Sequence, residues 1–579
     1  MMRLILLRLR EIMSHENNAL LATAVVVGTV TGAAAVGLVW AFRAVAVVLL
    51  GGEGPTTSTP WRVAIAPIAG ALVAGPLIAW GAREAKGHGV PQVMEAVALK
   101  GGRIRGRVAV VKTLASAFTI GSGGSGGREG PIVQIGSALG SLVARLFRVS
   151  EDRSRLLVAC GAAAGISAAF NAPLAGVFFA LEVILQRFTT RGFATVVVSA
   201  VTASVVWRAV FGNRPVLDVP LFGLRHPAEL LIYLVLGFAA ALVGVVFVRV
   251  LYSAEDLFDA LPIPEALKPA IGGALLGGLG VGVVIFIGQP IVYGTGLYGI
   301  DQALAGQYVW FGMLLLVAAK ILATSFSLGS GGSGGVFAPA LFMGAMLGGA
   351  IGHGATALFP TIAASPGAYA TVGMGAVFAG AAQAPISAIL ILFEMTNDYR
   401  IILPLMLSCI VATTAYSFLQ KDSIYTMKLR RKGIELSQGR ERHLLERTPV
   451  SHAIVEDLVA LRLPVDGQDV QERIAKQGQD VLVCVDEFAR YIGMLPLERV
   501  TDELVDGSDL LALLDTDVKP VVATESLDDA FALMAPRGLR VLPVVDSLVF
   551  KRVIGIVTRE SLASAYWTAV ATSRQVSST

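Results

Sequence analysis

Gly121–Pro131 reads GSGGSGGREGP, and Gly329–Pro339 reads GSGGSGGVFAP. The first run is followed 50 residues later by NAPLAGVFFALE (Asn171–Glu182), the second 54 residues later by QAPISAILILFE (Gln383–Glu394). Two unusual motifs therefore recur in the same order at nearly the same spacing, which is the mark of a duplicated unit. The repeats extend over about 20–210 and 229–420. This pattern leaves open whether the halves are parallel or inverted.

Around these motifs the chain is apolar. Of its 579 residues 55% are hydrophobic and 15% charged, where soluble domains carry roughly 25%. Apolar segments near 20–50, 61–80, 154–186, 192–211, 229–252, 307–327, 367–393 and 401–420 approach the roughly 20 residues that cross a bilayer as a helix. Shorter apolar pieces at 107–120, 131–147 and 336–350 adjoin the glycine runs. Such interrupted segments predict helices that stop inside the membrane around a cavity. Beyond Lys421 the composition becomes that of a soluble domain. There a strand, a helix at Leu527–Met534 and strands at Val541–Val545 and Val553–Thr558 are expected. A weaker copy has a helix near Val470–Lys476 and strands at Val481–Val485 and Tyr491–Met494. The division is thus an amphipathic segment (1–19), a membrane domain (20–435) and a soluble α/β pair (436–579).

A net charge of +4 gives no reason to expect nucleic acid as a partner; the lipid bilayer is the expected one. Basic residues instead flank apolar runs, at Arg3, Arg8 and Arg10 and at Lys428, Arg430, Arg431 and Lys432. By the positive-inside rule both termini are cytoplasmic. Charges interrupt Met1–Arg10, which therefore lacks the apolar core of a signal peptide. Cys160, Cys409 and Cys484 stand far apart, indicating neither disulfides nor a metal site.

The glycine runs fit anion chemistry. Moving an unsolvated anion into the membrane costs tens of kcal/mol. Backbone N–H groups at a helix N-terminus, with a partial charge of about +0.5, can replace its water without holding it too tightly. One glycine run could equally serve close helix packing, but two matched runs each ending in Gly-x-x-x-Pro favour a site. Glu129 carries the clearest signal, because an intramembrane carboxylate is costly and usually functional. Ionised, it would accept the donors an anion uses; protonated, it would vacate them. The plain alternative is an ion pair with Arg128, although neighbours along a helix face apart.

GREGP (Gly127–Pro131), GVFAP (Gly335–Pro339), GHGVP (Gly87–Pro91) and the isolated Tyr425, with Lys112 placed 17 residues before Glu129, resemble the CLC family of chloride channels and chloride/proton exchangers. The tail resembles the paired CBS domains of many members. The resemblance implies a multi-pass α-helical fold of broken helices in an inverted repeat, followed by a soluble α/β CBS pair. It also implies a homodimer with one chloride pathway per subunit and no required cofactor. Carried over, Glu129 is the gating glutamate. His88, Gly89, Val90, Arg128, Gly130, Val336, Phe337, Ala338 and Tyr425 border the anion sites.

Two departures stand out. His88 occupies a position usually held by serine in chloride-selective members, and an imidazole can both donate to an anion and charge near neutral pH. Val183 stands where exchangers often have an inner glutamate. Glu182 is adjacent, but one helical step turns a side chain by about 100°, so a structural role paralleled by Glu394 is expected over a place in the proton pathway. Val183 tilts the reading to passive, channel-like conduction, with chloride/proton exchange as the alternative. In the tail, Thr558 and Glu560 resemble an adenine-nucleotide site, weighed against a dimerising scaffold. Gly123–Gly127 and Gly331–Gly335 match the G-x-S-x-G of serine hydrolases. That motif requires a strand-to-helix elbow and a histidine partner, so an intramembrane protease is a remote alternative and no catalytic residue is assigned. A cation carrier would need more membrane carboxylates. No P-loop is present, so ATP hydrolysis by this chain is not expected. The Gly/Ala-rich composition suggests a bacterial plasma membrane.

Overall fold

Sixteen helices in two sets of eight build the membrane unit in the described residues of the computed structural model. Those residues are 16–52, 59–186, 188, 190–213, 217, 223–434, 445, 448–455, 460–463, 481–496, 510–535 and 537–576. The chain divides into two units, Met1–Ile434 and Glu435–Thr579. In the first repeat run α1 (Glu16–Leu50), α2 (Pro60–Pro76), α3 (Val90–Leu99), α4 (Gly106–Gly121), α5 (Glu129–Leu146), α6 (Glu151–Phe170), α7 (Pro173–Phe179) and α8 (Thr190–Phe211). The second has α9 (Glu229–Asp259), α10 (Lys268–Ile287), α11 (Leu297–Leu304), α12 (Trp310–Thr324), α13 (Phe337–Leu358), α14 (Pro366–Ala382), α15 (Pro385–Thr396) and α16 (Ile402–Leu419). A short α17 (Thr426–Arg431) closes the unit. Eight helices among the described residues are long and apolar enough to span a bilayer.

Four segments differ from the sequence expectation. The apolar stretch 154–186 is two helices, broken where Asn171 adopts a left-handed φ of 56° and Pro173 restarts the chain. The stretch 367–393 breaks identically at Gln383, φ 55°, before Pro385. The N-A-P and Q-A-P signals were present, but hydropathy runs straight through one polar residue. Conversely, 336–350 extends into α13, long enough to span. The spanning α10 was not anticipated. Its mean hydropathy of 2.3 is as high as the 2.2 of α1, and its glycines serve contact: a Cβ on Gly277 would lie 2.3 Å from the Ala64 carbonyl oxygen of α2. The expected surface helix falls largely in residues 1–15, outside the described residues, as does the helix near Val470–Lys476.

Close approach between helices repeats with the duplication. A Cβ on Gly161 of α6 would stand 2.0 Å from the Gly136 carbonyl oxygen of α5, and one on Gly373 of α14 would stand 2.2 Å from that of Gly344 on α13. Lipid offers no hydrophobic contrast between helices, so association relies on such backbone-to-backbone packing.

The soluble unit holds two three-stranded sheets of the same plan, β1-β2-β3 and β4-β5-β6. They comprise β1 (Leu461–Arg462), β2 (Val481–Val485), β3 (Tyr491–Pro496), β4 (Val521–Val522), β5 (Val541–Val545) and β6 (Val553–Thr558). In each, the first pair is parallel and the second antiparallel, with matching register shifts at Cys484/Val485 and Val544/Val545. Tyr491 N donates to Lys551 O and Val553 N to Ala489 O, crossing the two copies. Helix α18 (Leu527–Met534) starts with a capping box between Ser526 and Asp529. The closing helix is α19 (Arg559–Val576).

Gly161→Val is expected to destabilise the detergent-solubilised protein by at least about 1–3 kcal/mol through overpacking, and Gly373→Val by a similar amount. Gly278→Ala, where a Cβ meets open space, is expected to be neutral or stabilising, by up to about 1 kcal/mol. Thermal unfolding of the three variants checks the contrast.

Candidate functional site

The two glycine runs meet at the centre of the membrane unit. Gly127 N donates to Gly335 O at 2.8 Å and Gly335 N to Gly127 O at 2.6 Å, an antiparallel bridge between equivalent residues of the two repeats. The surrounding bonds obey the same two-fold relation. Ser116 and Ser333 hydroxyls pair at 2.9 Å, as do Ser125 and Thr324 at 3.0 Å. Gly126 N donates to Gly294 O, and Gly334 N to Gly87 O. Thus both G-x-S-x-G serines are held by a hydroxyl from the opposite repeat.

Two buried lysines fasten this crossing. Lys112 Nζ donates to Ala85 O at 3.0 Å and Gly87 O at 2.7 Å. Lys320 Nζ donates to Val292 O at 2.8 Å and Gly294 O at 3.1 Å. Each stands 17 residues before a helix head, Glu129 or Phe337. Lys320 escaped the sequence reading, although a charged residue inside an apolar span is a signal. Its bonds reveal a further repeat pair: Gly87-His88-Gly89 corresponds to Gly294-Thr295-Gly296. Gly89 (φ 86°) and Gly296 (φ 78°) cap α3 and α11 in conformations that favour glycine.

The crossing brings the heads of α3, α5 and α13 to one small cavity of about 10 Å³. Its wall includes His88, Val90, Glu129, Gly130, Val336, Phe337 and Tyr425 from the predicted set, with Val133, Ile166 and Phe179 added. Glu129 is only 2% exposed. Its carboxylate engages its own N–H and that of Ala338, while Oε2 has no partner. Oε2 lies against glycine: a Cβ on Gly127 would overlap it, and one on Gly335 would come within 3.4 Å. Arg128 turns elsewhere, with Nη2 donating to Ala169 O at 2.7 Å and the guanidinium over the Trp207 ring at 5.4 Å.

Opposite Glu129, His88 Nε2 is 3.2 Å from the Tyr252 hydroxyl, which donates to Ile424 O at 2.6 Å. The His88 and Tyr425 ring centroids lie 5.9 Å apart, and Phe179 meets Tyr425 edge-on at 6.4 Å. Tyr252, at the polar end of a long span, carried no motif and was missed. Glu182 takes a different position. Its carboxylate accepts from Ile386 N, Ser387 N and the Ser387 hydroxyl at the head of α15. Reciprocally, Glu394 accepts from Leu174 N and Ala175 N at the head of α7. Val183 is buried.

Two larger cavities adjoin the site. One of about 620 Å³ includes Lys86, Lys100, Gln134 and Lys428, and one of about 330 Å³ includes Arg43, Arg128, Tyr293 and Thr295. In the soluble unit, the backbone at the head of α19 and the Thr558 hydroxyl hold the exposed Glu560 carboxyl below the usual carboxylate range.

A membrane unit of broken helices whose heads converge on a buried carboxylate has the architecture of an anion transporter. Residues 69–417 match the family model for voltage gated chloride channels, and residues 509–568 match that for the CBS domain. The chain belongs to the voltage gated chloride channel (CLC) family and carries CBS-type sequence in its tail. Members of this family are channels and transporters, not enzymes. A protein of Ralstonia nicotianae named for its likeness to ClcB chloride channels is 40% identical over 375 residues, covering 64% of this chain and 86% of its own. The H(+)/Cl(-) exchange transporter ClcA of Vibrio parahaemolyticus is 37% identical over 357 residues, covering 60% and 75%. Among solved structures, a slow cyanobacterial Cl-/H+ antiporter is 28% identical with a TM-score of 0.62, covering 72% of this chain and 98% of its own.

Lys112→Met and Lys320→Met each leave two carbonyls without their shared donor. Each is expected to cost about 1–3 kcal/mol or more, read as a matched fall in thermal midpoint and in yield of monodisperse protein. A loss confined to one of them would contradict the two-fold frame.

Proposed function

We propose that this chain exchanges chloride for protons across the membrane, using Glu129 as both gate and proton carrier. The single observation that carries this reading is the Glu129 carboxylate lodged between the heads of α5 and α13. There it engages N–H groups suited to an anion and leaves Oε2 bare. Burying a carboxylate without full pairing costs several kcal/mol, which protonation relieves. Protonated, Glu129 no longer competes for the donors and swings out; chloride enters behind it. The cavity of about 10 Å³ holds at most a single water, so chloride passes only when the side chain leaves.

Exchange is preferred to passive conduction, the reading first drawn from Val183. The relatives named as exchangers support it. Glu182 is occupied in capping α15 and makes a poor substitute for an inner glutamate, so protons reach Glu129 by another route. Gly89, Val90, Arg128–Gly130 and Val336–Ala338 supply the backbone lining of the anion sites, and the Tyr425 hydroxyl is a donor to the central one. The chain acts as a homodimer in a bacterial plasma membrane, with both termini cytoplasmic and one pathway per subunit. The CBS pair serves as a dimerising scaffold. Adenine-nucleotide binding at Thr558 and Glu560 is the second reading, favoured only by the pairing of that carboxylate with the Thr558 hydroxyl.

Purified protein in liposomes under a chloride gradient, with chloride and external pH recorded together, tests this. Wild type is expected to move protons uphill against chloride, and Glu129→Gln to retain chloride flux while losing proton movement. Chloride flux from wild type with no coupled protons would refute exchange and restore the passive reading.

A further inference from the structure

His88 is 3% exposed and its ring is committed on one side only. The Tyr252 hydroxyl spends its single proton on Ile424 O at 2.6 Å, so at 3.2 Å from Nε2 it can only accept. Nε2 therefore carries the hydrogen, and in the neutral ring Nδ1 is a bare lone pair. That nitrogen is buried and has no partner, on a ring that lines the small cavity with Glu129 and Tyr425. A lone pair there repels an anion; an N–H attracts one. The tautomer set by Tyr252 thus makes protonation the condition for His88 to donate to an anion.

The charges around the ring decide when that happens. Lys112 of α4 donates to Gly87 O, one residue away, and carries no ion pair among the described residues. Lys428 of α17 lies near Gly87, where a Cβ would come within 3.0 Å of its Nζ, and is paired to Glu255 of α9 at 3.0 Å. Lys86, on the same segment as His88, is paired to Asp259 of α9 at 2.8 Å. Glu182, beyond α7, is occupied at the head of α15. Glu129 of α5 faces the cavity, and Tyr252 and Tyr425 are the remaining titratable neighbours. With the gate in place its carboxylate engages the amides of Glu129 and Ala338. The two nearby ammonium groups then disfavour a third cation. An anion beside the ring reverses that balance. The second repeat has Thr295 at the equivalent position, so this device belongs only to the half that carries Glu129.

We propose that His88 is a second proton-binding residue of the pathway, taking a proton at Nδ1 when an anion enters the neighbouring cavity and releasing it when the anion leaves. Only a proton moves: an N–H bond forms at Nδ1 as solvent hydronium gives up its proton, and the reverse returns it. This rests on the anion-pathway reading above and names the group that binds a proton together with the anion where Val183 cannot.

The test is calorimetric titration of potassium chloride into Glu129→Gln protein, whose gate no longer titrates. It is run near neutral pH in two buffers of different ionisation enthalpy, which gives the protons taken up per chloride. A substantial fraction of one proton is expected, with chloride affinity rising as pH falls, by up to about tenfold per pH unit. Adding His88→Asn, which keeps an N–H donor near the Nδ1 position but cannot titrate, is expected to weaken chloride binding and to abolish both the uptake and the pH dependence of the binding that remains. Chloride binding without proton uptake in Glu129→Gln overturns the role of His88 before any His88 variant is made. Equal uptake with and without the histidine overturns it as well. Absence of chloride binding in the wild type and in Glu129→Gln would instead overturn the underlying pathway reading.

Discussion

Everything in the membrane unit is arranged around one backbone crossing, the reciprocal pair of hydrogen bonds between Gly127 and Gly335. Glycine is required there because the two segments meet where any side chain would collide with the other backbone or with the Glu129 carboxylate. The bonds use only one N–H and one C=O from each run. The N–H groups of Glu129 and Ala338, at the two helix heads, turn instead to the gate carboxylate. Non-helical backbone at membrane depth is tolerated only when enclosed in protein or lining a cavity; the serine pairs and two buried lysines supply that enclosure.

A symmetric frame alone would offer two equal helix heads and no switch. Function enters where the repeats differ. Glu129 matches Phe337, whose ring packs at a tilt against Phe170 and Phe378. His88 matches Thr295. At these matched positions one half thus contributes a carboxylate and an imidazole, and the other an apolar ring and a threonine. The same duplication gives Glu182 and Glu394 reciprocal capping duties, which removes both from the anion path.

Much of this was legible in the sequence because it rests on local rules. The glycine runs, the lone Glu129 and the strands at Val541–Val545 and Val553–Thr558 are short-range signals with fixed chemistry, whereas Val183 drew the reading toward passive conduction, which the relatives named as exchangers do not support. The misread elements have different causes. Helix α10 is as apolar as the spans that were found and carried enough signal to be read, and the breaks at Asn171 and Gln383 interrupt runs whose hydropathy is continuous. Tyr252, 164 residues from His88, has no local signature; only the folded chain brings its hydroxyl to the imidazole. Lys320 could have been found by asking which charges interrupt apolar spans.

The central claim is that an anion and the Glu129 carboxylate compete for the same backbone donors. Its most direct test is the structure of the Glu129→Gln protein in bromide, located by anomalous scattering. The account predicts a bromide at the head of α13, within hydrogen-bonding distance of the Ala338 amide, in place of the displaced side chain. A glutamine still seated there with no bromide at the crossing, in protein that binds bromide elsewhere along the pathway, would contradict it.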